Sequence, residues 1–263
     1  MKIDLAIHSS DSNPFYLDFW PIVSKIWKLK FGVTPLLVYV DENHDILIDT
    51  TYGIVVKLKP VPDIPVPFQC CWARFWIPSQ YPDKVCILSD IDMLPISRRY
   101  FTGLVEPFPD TKYIHLNPQH DYMPVCYHVA QGSLFTKVFD LPETWPESVK
   151  RVSDYNEGYN HVLNDGTVIQ RWGVDEAYST YKMKVYHDQS IFVMMGRGNS
   201  FARIDRHEWH YQPSDIYRDV YADSHCIRPY SEHKTEIDKL VEFIMEERPK
   251  VYRPFANTSL TNA

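Results

Sequence analysis

The chain has 263 residues, 44% of them apolar and 23% charged, with a formal net charge of −7. That length can bury one large core, and the acidic balance argues against a nucleic-acid partner, whose phosphates need a basic face. No apolar run approaches the ~20 residues of a membrane span.

Met1-Lys2-Ile3-Asp4-Leu5-Ala6-Ile7 carries an acid within an apolar run too short for a signal peptide, so a soluble, cytoplasmic protein is expected. The five cysteines, Cys70, Cys71, Cys86, Cys126 and Cys226, form no Cys-x-x-Cys pair and read as free thiols in a reducing compartment. Aromatic residues make up 14%, which suits a carbohydrate-handling surface and equally an aromatic-rich core.

Ile3 to Ser9 reads as a first strand ending in a polar turn. Asn13 then caps a helix that starts at Pro14, carries an apolar stripe through Ile26, should kink at Pro21, and stops before Gly32. Pro35 to Val40 and Ile54 to Leu58 are further strands, and the four prolines between Lys59 and Pro67 mark a surface loop. Phe68 to Tyr81 has helical spacing and delivers the chain to a buried strand, Val85 to Leu88. This alternation predicts a parallel α/β sheet with right-handed crossovers.

Later elements are a strand at Tyr113 to Leu116, helices at Gly132–Phe139, Glu147–Val152 and Val174–Tyr181, and a strand at Ile191–Met195. A final helix over 231–248 is capped by Ser231 and ended by Pro249, and residues 251–263 form a flexible tail. The expected unit is one domain over 1–250, with a nucleotide-binding half at about 1–105 and a second half at about 106–230.

The segment that organises the chain is Ser89-Asp90-Ile91-Asp92, immediately after the buried strand Val85–Leu88. Two carboxylates one residue apart can point the same way at a strand end. Ligand sites of open α/β sheets lie at the carboxyl ends of strands. Two such carboxylates are costly together unless a cation lies between them, which makes a divalent-metal site one reading and a solvated turn another.

The longer stretch Ala73-Arg74-Phe75-Trp76 through Asp90-Ile91-Asp92 resembles the donor half of GT-A glycosyltransferases, of the glycogenin-like and small viral or bacterial type. The resemblance implies a Rossmann-like domain with a mostly parallel sheet flanked by helices, which moves a sugar from a nucleoside-diphosphate donor, UDP-linked by analogy, to a hydroxyl acceptor of a glycan. It implies Mn²⁺ or Mg²⁺ held by Asp90, Asp92 and a late histidine, His225. It further implies that Ser9, Ser10, Tyr16, Asp41, Arg74, Ser89 and Arg228 approach the nucleotide or its diphosphate.

In the same comparison His128, Gln131 and Gly132, and Trp172 in Arg171-Trp172-Gly173-Val174-Asp175-Glu176, line the sugar and acceptor. Asp175 and Glu176 are then the catalytic carboxylates, as general base or as stabilisers of oxocarbenium charge. His207 and His210 rival His225 as the late histidine. Two other classes compete: a haloacid-dehalogenase-type phosphohydrolase using Asp90 and Asp92, and a non-catalytic carbohydrate-binding protein. Against the first, Leu94 stands where Thr or Val is wanted.

Overall fold

Three β-strands in direct succession give the structure its frame: β1 (Leu5–Ser10), β2 (Thr34–Val40) and β3 (Ile54–Leu58), all parallel. The computed structural model describes residues 1–119, 122–155, 160–162, 168–170, 173–198 and 200–246. Between β1 and β2 run two helices, α1 (Pro14–Leu17) and α2 (Trp20–Ile26). The expected kink is thus a break. Pro21 sits in the first turn of α2, where its missing N–H leaves no bond unmade. Gly32, at φ 69°, ends this layer in the left-handed conformation that glycine adopts without cost.

Helix α3 (Val66–Trp76) leads to β4 (Val85–Leu88), which pairs parallel with β1. The remaining elements are β5 (Met93–Pro95), β6 (Tyr113–His115), β7 (His128–Gln131), α4 (Gly132–Phe139), α5 (Trp145–Tyr155), β8 (Asn160–Val162) and β9 (Val168–Gln170). They are followed by α6 (Val174–Val185), β10 (Phe192–Met194), β11 (Ala202–Ile204), α7 (Pro213–Tyr217), β12 (Tyr221–His225) and α8 (Lys234–Met245).

The main sheet has seven strands in the order β10-β6-β7-β4-β1-β2-β3. It is parallel except at β7, which runs antiparallel to both β4 and β6. A mixed α/β architecture with a mostly parallel central sheet is therefore what the chain adopts. The final helix begins at Lys234 rather than at Ser231, with His233 at its cap and no side-chain hydrogen bond there. The expected tail at 251–263 lies outside the described residues.

Strand alternation divides the core between the two faces of the sheet. Ala6, Leu37, Ile87 and Val129 pack with Trp20 and Val23 of α2 and with Ile237 and Leu240 of α8. Leu5, Ile7, Leu36, Val38 and Leu88 face the other way, onto Trp72 and Phe75 of α3 and Val174 and Tyr178 of α6. Among the described residues no helix is long and apolar enough to cross a membrane.

A second sheet, β11-β12-β5, sits beside the first. Its strand β12 runs antiparallel to β5, pairing Asp223 with Pro95 and His225 with Met93. The amide of Cys226 then donates to the carbonyl of Asp92 at 3.0 Å. This pairing brings the late part of the chain against the loop that follows β4.

Candidate functional site

Because β1 and β4 are parallel and in register, Ser9-Ser10 and Ser89-Asp90 leave the sheet side by side at its carboxyl edge. The amide of Ser89 donates to the carbonyl of Ile7 at 3.0 Å, and Nδ1 of His8 lies 3.3 Å from the carbonyl of Asp90. Burial pushes His8 down to about 3, so the imidazole is neutral at physiological pH and serves as a donor to that carbonyl. The exit of β4 is thus tied to β1 before any side chain acts.

The two aspartates have different partners. The Asp90 carboxylate pairs with the buried guanidinium of Arg74, in the last turn of α3, and accepts a hydrogen bond from the Cys126 thiol at 3.0 Å. Burial opposes ionisation of Asp90, but the Arg74 charge and the thiol outweigh it and hold the carboxyl below the usual range. With both oxygens engaged, Asp90 is poorly placed as the nucleophile a phosphohydrolase requires.

Asp92 is 3% exposed and meets the second sheet instead. Its Oδ2 accepts from Nη2 of Arg206 at 3.0 Å and lies 3.5 Å from Nη1 of Arg228 and 3.9 Å from Nε2 of His225. The Arg228 guanidinium also stacks 4.8 and 4.9 Å from the ring centroids of Phe15 and Tyr16. Arg206, His207, Arg228 and His233, with Phe15 and Ile227, line an open cleft of about 370 Å³ next to Asp92. In a chain of net charge −7, this is a locally cationic hollow.

Asp175 and Glu176 occupy the first turn of α6, which Gly173 enters at φ 74°. Burial pushes Asp175 up to about 6 against the pull of Arg74, and burial together with the Asp175 charge pushes Glu176 up to about 7. Oε1 of Glu176 accepts from the amide of Val125 at 3.2 Å, and Thr180 of the same helix accepts from Met123 at 2.9 Å. Helix α6 therefore holds the strap that carries Cys126 to Asp90. Arg74 links the two carboxylate groups, since its charge acts on Asp90 and on Asp175.

Several expected site residues have other work. Asp41 spends its carboxylate on the amides of Ser12 and Asn43, at 3.2 and 2.8 Å, and so ties the loops after β1 and β2 together. Ser10 donates to the adjacent Asp11 carbonyl at 2.9 Å. Because β7 is antiparallel to β4, with Gln131 opposite Val85, Gln131 and Gly132 lie at the end of the sheet away from Asp90.

Gly132 is instead a packing requirement. A Cβ there would sit 2.2 Å from the carbonyl oxygen of Pro78 and 2.3 Å from that of Tyr81. His128 is fully buried, 3.0 Å from the Tyr113 hydroxyl and edge-on to Phe75, and belongs to the core beneath the site. None of these three residues lines the cleft beside Asp92. Trp172 lies outside the described residues.

No protein-family model matches the sequence, and no curated protein matches it. Among solved structures, the glycosyltransferase GlyE of Streptococcus pneumoniae TIGR4 aligns at a TM-score of 0.50 and 10% identity, over 94% of this chain and 61% of that one. The fold is GT-A-like. The chain spans less than two thirds of the GlyE structure it matches. The galactosyltransferase LgtC, crystallised with donor and acceptor sugar analogues, aligns at a TM-score of 0.48 and 12% identity, over 94% of this chain and 98% of that one.

The GT-A resemblance implied an ion on Asp90, Asp92 and His225, and the donor set as placed does not fit one. Nδ1 of His225 accepts from Nε of Arg206 at 3.3 Å, so in the neutral ring Nε2, the atom nearer Asp92, carries the proton and has no lone pair to give. Asp92 already faces two guanidinium groups, which would oppose a divalent cation. Among the described residues no three His, Cys, Asp or Glu groups are arranged to hold an ion.

Arg206 is the site residue that sequence reasoning missed, since it carries no local motif. Its neighbour His207 drew notice as a rival histidine and does line the cleft, whereas His210 contacts Gln212 instead.

Proposed function

We propose that the chain transfers a sugar from a nucleoside-diphosphate donor to a hydroxyl acceptor. The observation that carries this reading is the Asp90-Ile91-Asp92 segment at the carboxyl edge of β1 and β4, which adjoins a cationic cleft through Asp92 and, through Asp90 and Arg74, the buried Asp175 and half-buried Glu176 with their raised pKa values. The GT-A-like fold supports the same reading, as does the Asp-x-Asp segment, whose resemblance favours uridine diphosphate as the leaving group and a glycan as acceptor.

In this reading Ser9, Tyr16 and Ser89 border the nucleoside, and Arg228 faces the departing diphosphate. Arg guanidinium suits that task because it offers two parallel donors to phosphate oxygens. Arg74 keeps Asp90 ionised and holds it in place. Asp175, with a pKa near 6, is ionised at neutral pH yet basic enough to accept the proton of an acceptor hydroxyl. Its burial strengthens its interaction with positive charge growing at the anomeric carbon.

Thermal melting of the full chain with UDP, GDP or buffer, followed by a panel of the corresponding sugar nucleotides, tests the donor class. A ligand present at one hundred times its dissociation constant adds ~2.7 kcal/mol to stability and shifts the midpoint visibly. No shift with any nucleotide, in a sample that melts cooperatively, would end this reading.

The carboxylate pair also has a signature in stability. Both groups hold their protons more tightly in the folded chain than in the unfolded one. The stability they contribute is complete below about pH 4 and is lost as pH rises through about 6 and 7. The double variant Asp175→Asn, Glu176→Gln should therefore gain stability relative to the parent by about 1–3 kcal/mol between pH 4 and pH 8. Parallel midpoint-versus-pH curves for the two proteins would show that the pair titrates normally.

A further inference from the structure

We propose that Arg206 and Arg228 together act as the counter-ion of the diphosphate, so that nucleotide binding at this site needs no divalent cation. The inference rests on the nucleotide reading above and deepens it.

The charge count around Asp92 supports it. One buried carboxylate faces two guanidinium groups, at 3.0 and 3.5 Å, while the neighbouring Asp90 has its own partner in Arg74. Asp92 therefore meets two cations at once, and the other carboxylate at this wall, Asp205, lies 3.7 Å from Nδ1 of His225 and is 39% exposed, so solvent screens its charge and the buried balance on the cleft side is positive. Both guanidiniums line the hollow, 13% and 21% exposed at the side chain, so they are only partly hydrated and keep donors free for an incoming anion. A cation presented from a partly dry wall attracts phosphate more strongly than one in water.

The two arginines are also held in position. Arg206 is fixed through Nη2 by Asp92 and through Nε by Nδ1 of His225, and Arg228 is fixed by the faces of Phe15 and Tyr16. An arrangement made before the ligand arrives loses little ordering entropy on binding. His225 thus acts as a positioning residue for Arg206. A metal bound by Asp92 and His225 would have to displace Arg206 from both.

Isothermal titration of the full chain with UDP, once in EDTA and once with Mn²⁺, separates the alternatives, with inorganic diphosphate as a second probe. The parent protein should bind UDP in EDTA with an affinity within about threefold of that in Mn²⁺, given that tenfold corresponds to 1.4 kcal/mol. Arg206→Gln and Arg228→Gln should each weaken both probes ~10–100-fold in EDTA, the range for lost hydrogen bonds to charged groups. Arg218→Gln, at an exposed surface position, should change neither.

Melting curves report whether each variant is folded, and Arg228→Gln, at the cleft wall, provides the test if Arg206→Gln does not fold. UDP that binds with Mn²⁺ and fails to bind in EDTA would overturn the inference while leaving the nucleotide reading intact. Parent-like affinity in a folded arginine variant would overturn it too. Absence of binding to any nucleoside diphosphate under both conditions would instead remove the nucleotide reading, and the inference with it.

Discussion

Replacing Asp175 by asparagine should lower turnover by about 10²–10⁴-fold, the range for loss of a positioned general base, while leaving affinity for the nucleoside diphosphate within a few-fold. Asparagine keeps the shape of the side chain and the start of α6, but it cannot accept a proton from a hydroxyl. Removal of the charge also deprives a developing cation of a partner in a buried place, where such an interaction is strong. In the proposed function the diphosphate is handled on the other side of Asp90, so binding and chemistry should separate in this variant.

Single-turnover rates with saturating donor make the comparison, and parent-like rates would remove Asp175 from the chemistry. Glu176→Gln should have a smaller effect, because one oxygen of Glu176 is already committed to the amide of Val125, a bond the amide oxygen of glutamine can also accept.

The largest effect on stability is expected at Asp223, which has no direct role in the proposed reaction. This fully buried carboxylate accepts from Nε and Nη2 of Arg203 at 2.9 and 2.8 Å, from Nη2 of Arg197 at 2.8 Å, and from the Tyr127 hydroxyl at 2.6 Å. Burial disfavours its charge, and these four hydrogen bonds more than offset that, holding the carboxyl below its usual range. Asp223→Ala leaves two guanidiniums and a phenol without their acceptor.

Breaking one side of a buried ion pair costs about 3–5 kcal/mol. Urea denaturation should show a loss of that size, and Tyr127→Phe about 1 kcal/mol, the usual worth of a single hydrogen bond. A loss under 1 kcal/mol for Asp223→Ala would mean that the network is dispensable.

Most of the parallel half of the fold is visible in the sequence. β2 and β4 are short apolar runs between turn signals, and burial on both faces requires that composition. β5, β11 and β12 left no such trace. Ala202-Arg203-Ile204 and Tyr221-Ala222-Asp223-Ser224-His225 are polar enough to read as loop, and they are strands because of partners elsewhere in the chain.

The same reason explains which site residues could be read. Asp90, Asp92, Arg74 and Arg228 stand in recognisable local patterns and gather at one edge of the sheet. Arg206 takes its place from Asp92, 114 positions earlier, and from His225, 19 positions later, and His8 is tied to Asp90, 82 positions later. Gln131 and Gly132 lie at the far end because the direction of β7 has no local signature, and reversing a strand exchanges the end near the ligand for the end away from it, whereas His128, at the near end, is buried against Tyr113 and Phe75.

The pairing of β12 with β5 has a consequence for how the protein is made. Pro95 and Asp223 lie more than a hundred residues apart, so the cationic wall reaches Asp92 only after a very long loop has closed. The entropy of that closure grows only as the logarithm of loop length, but long-range pairing slows folding. During synthesis at about 5–20 residues per second, Asp92 emerges several seconds before the residues that will neutralise it. A ribosome that stops short of Tyr221 releases a chain without β12, and so without the strand that brings His225 and Arg228 to Asp92.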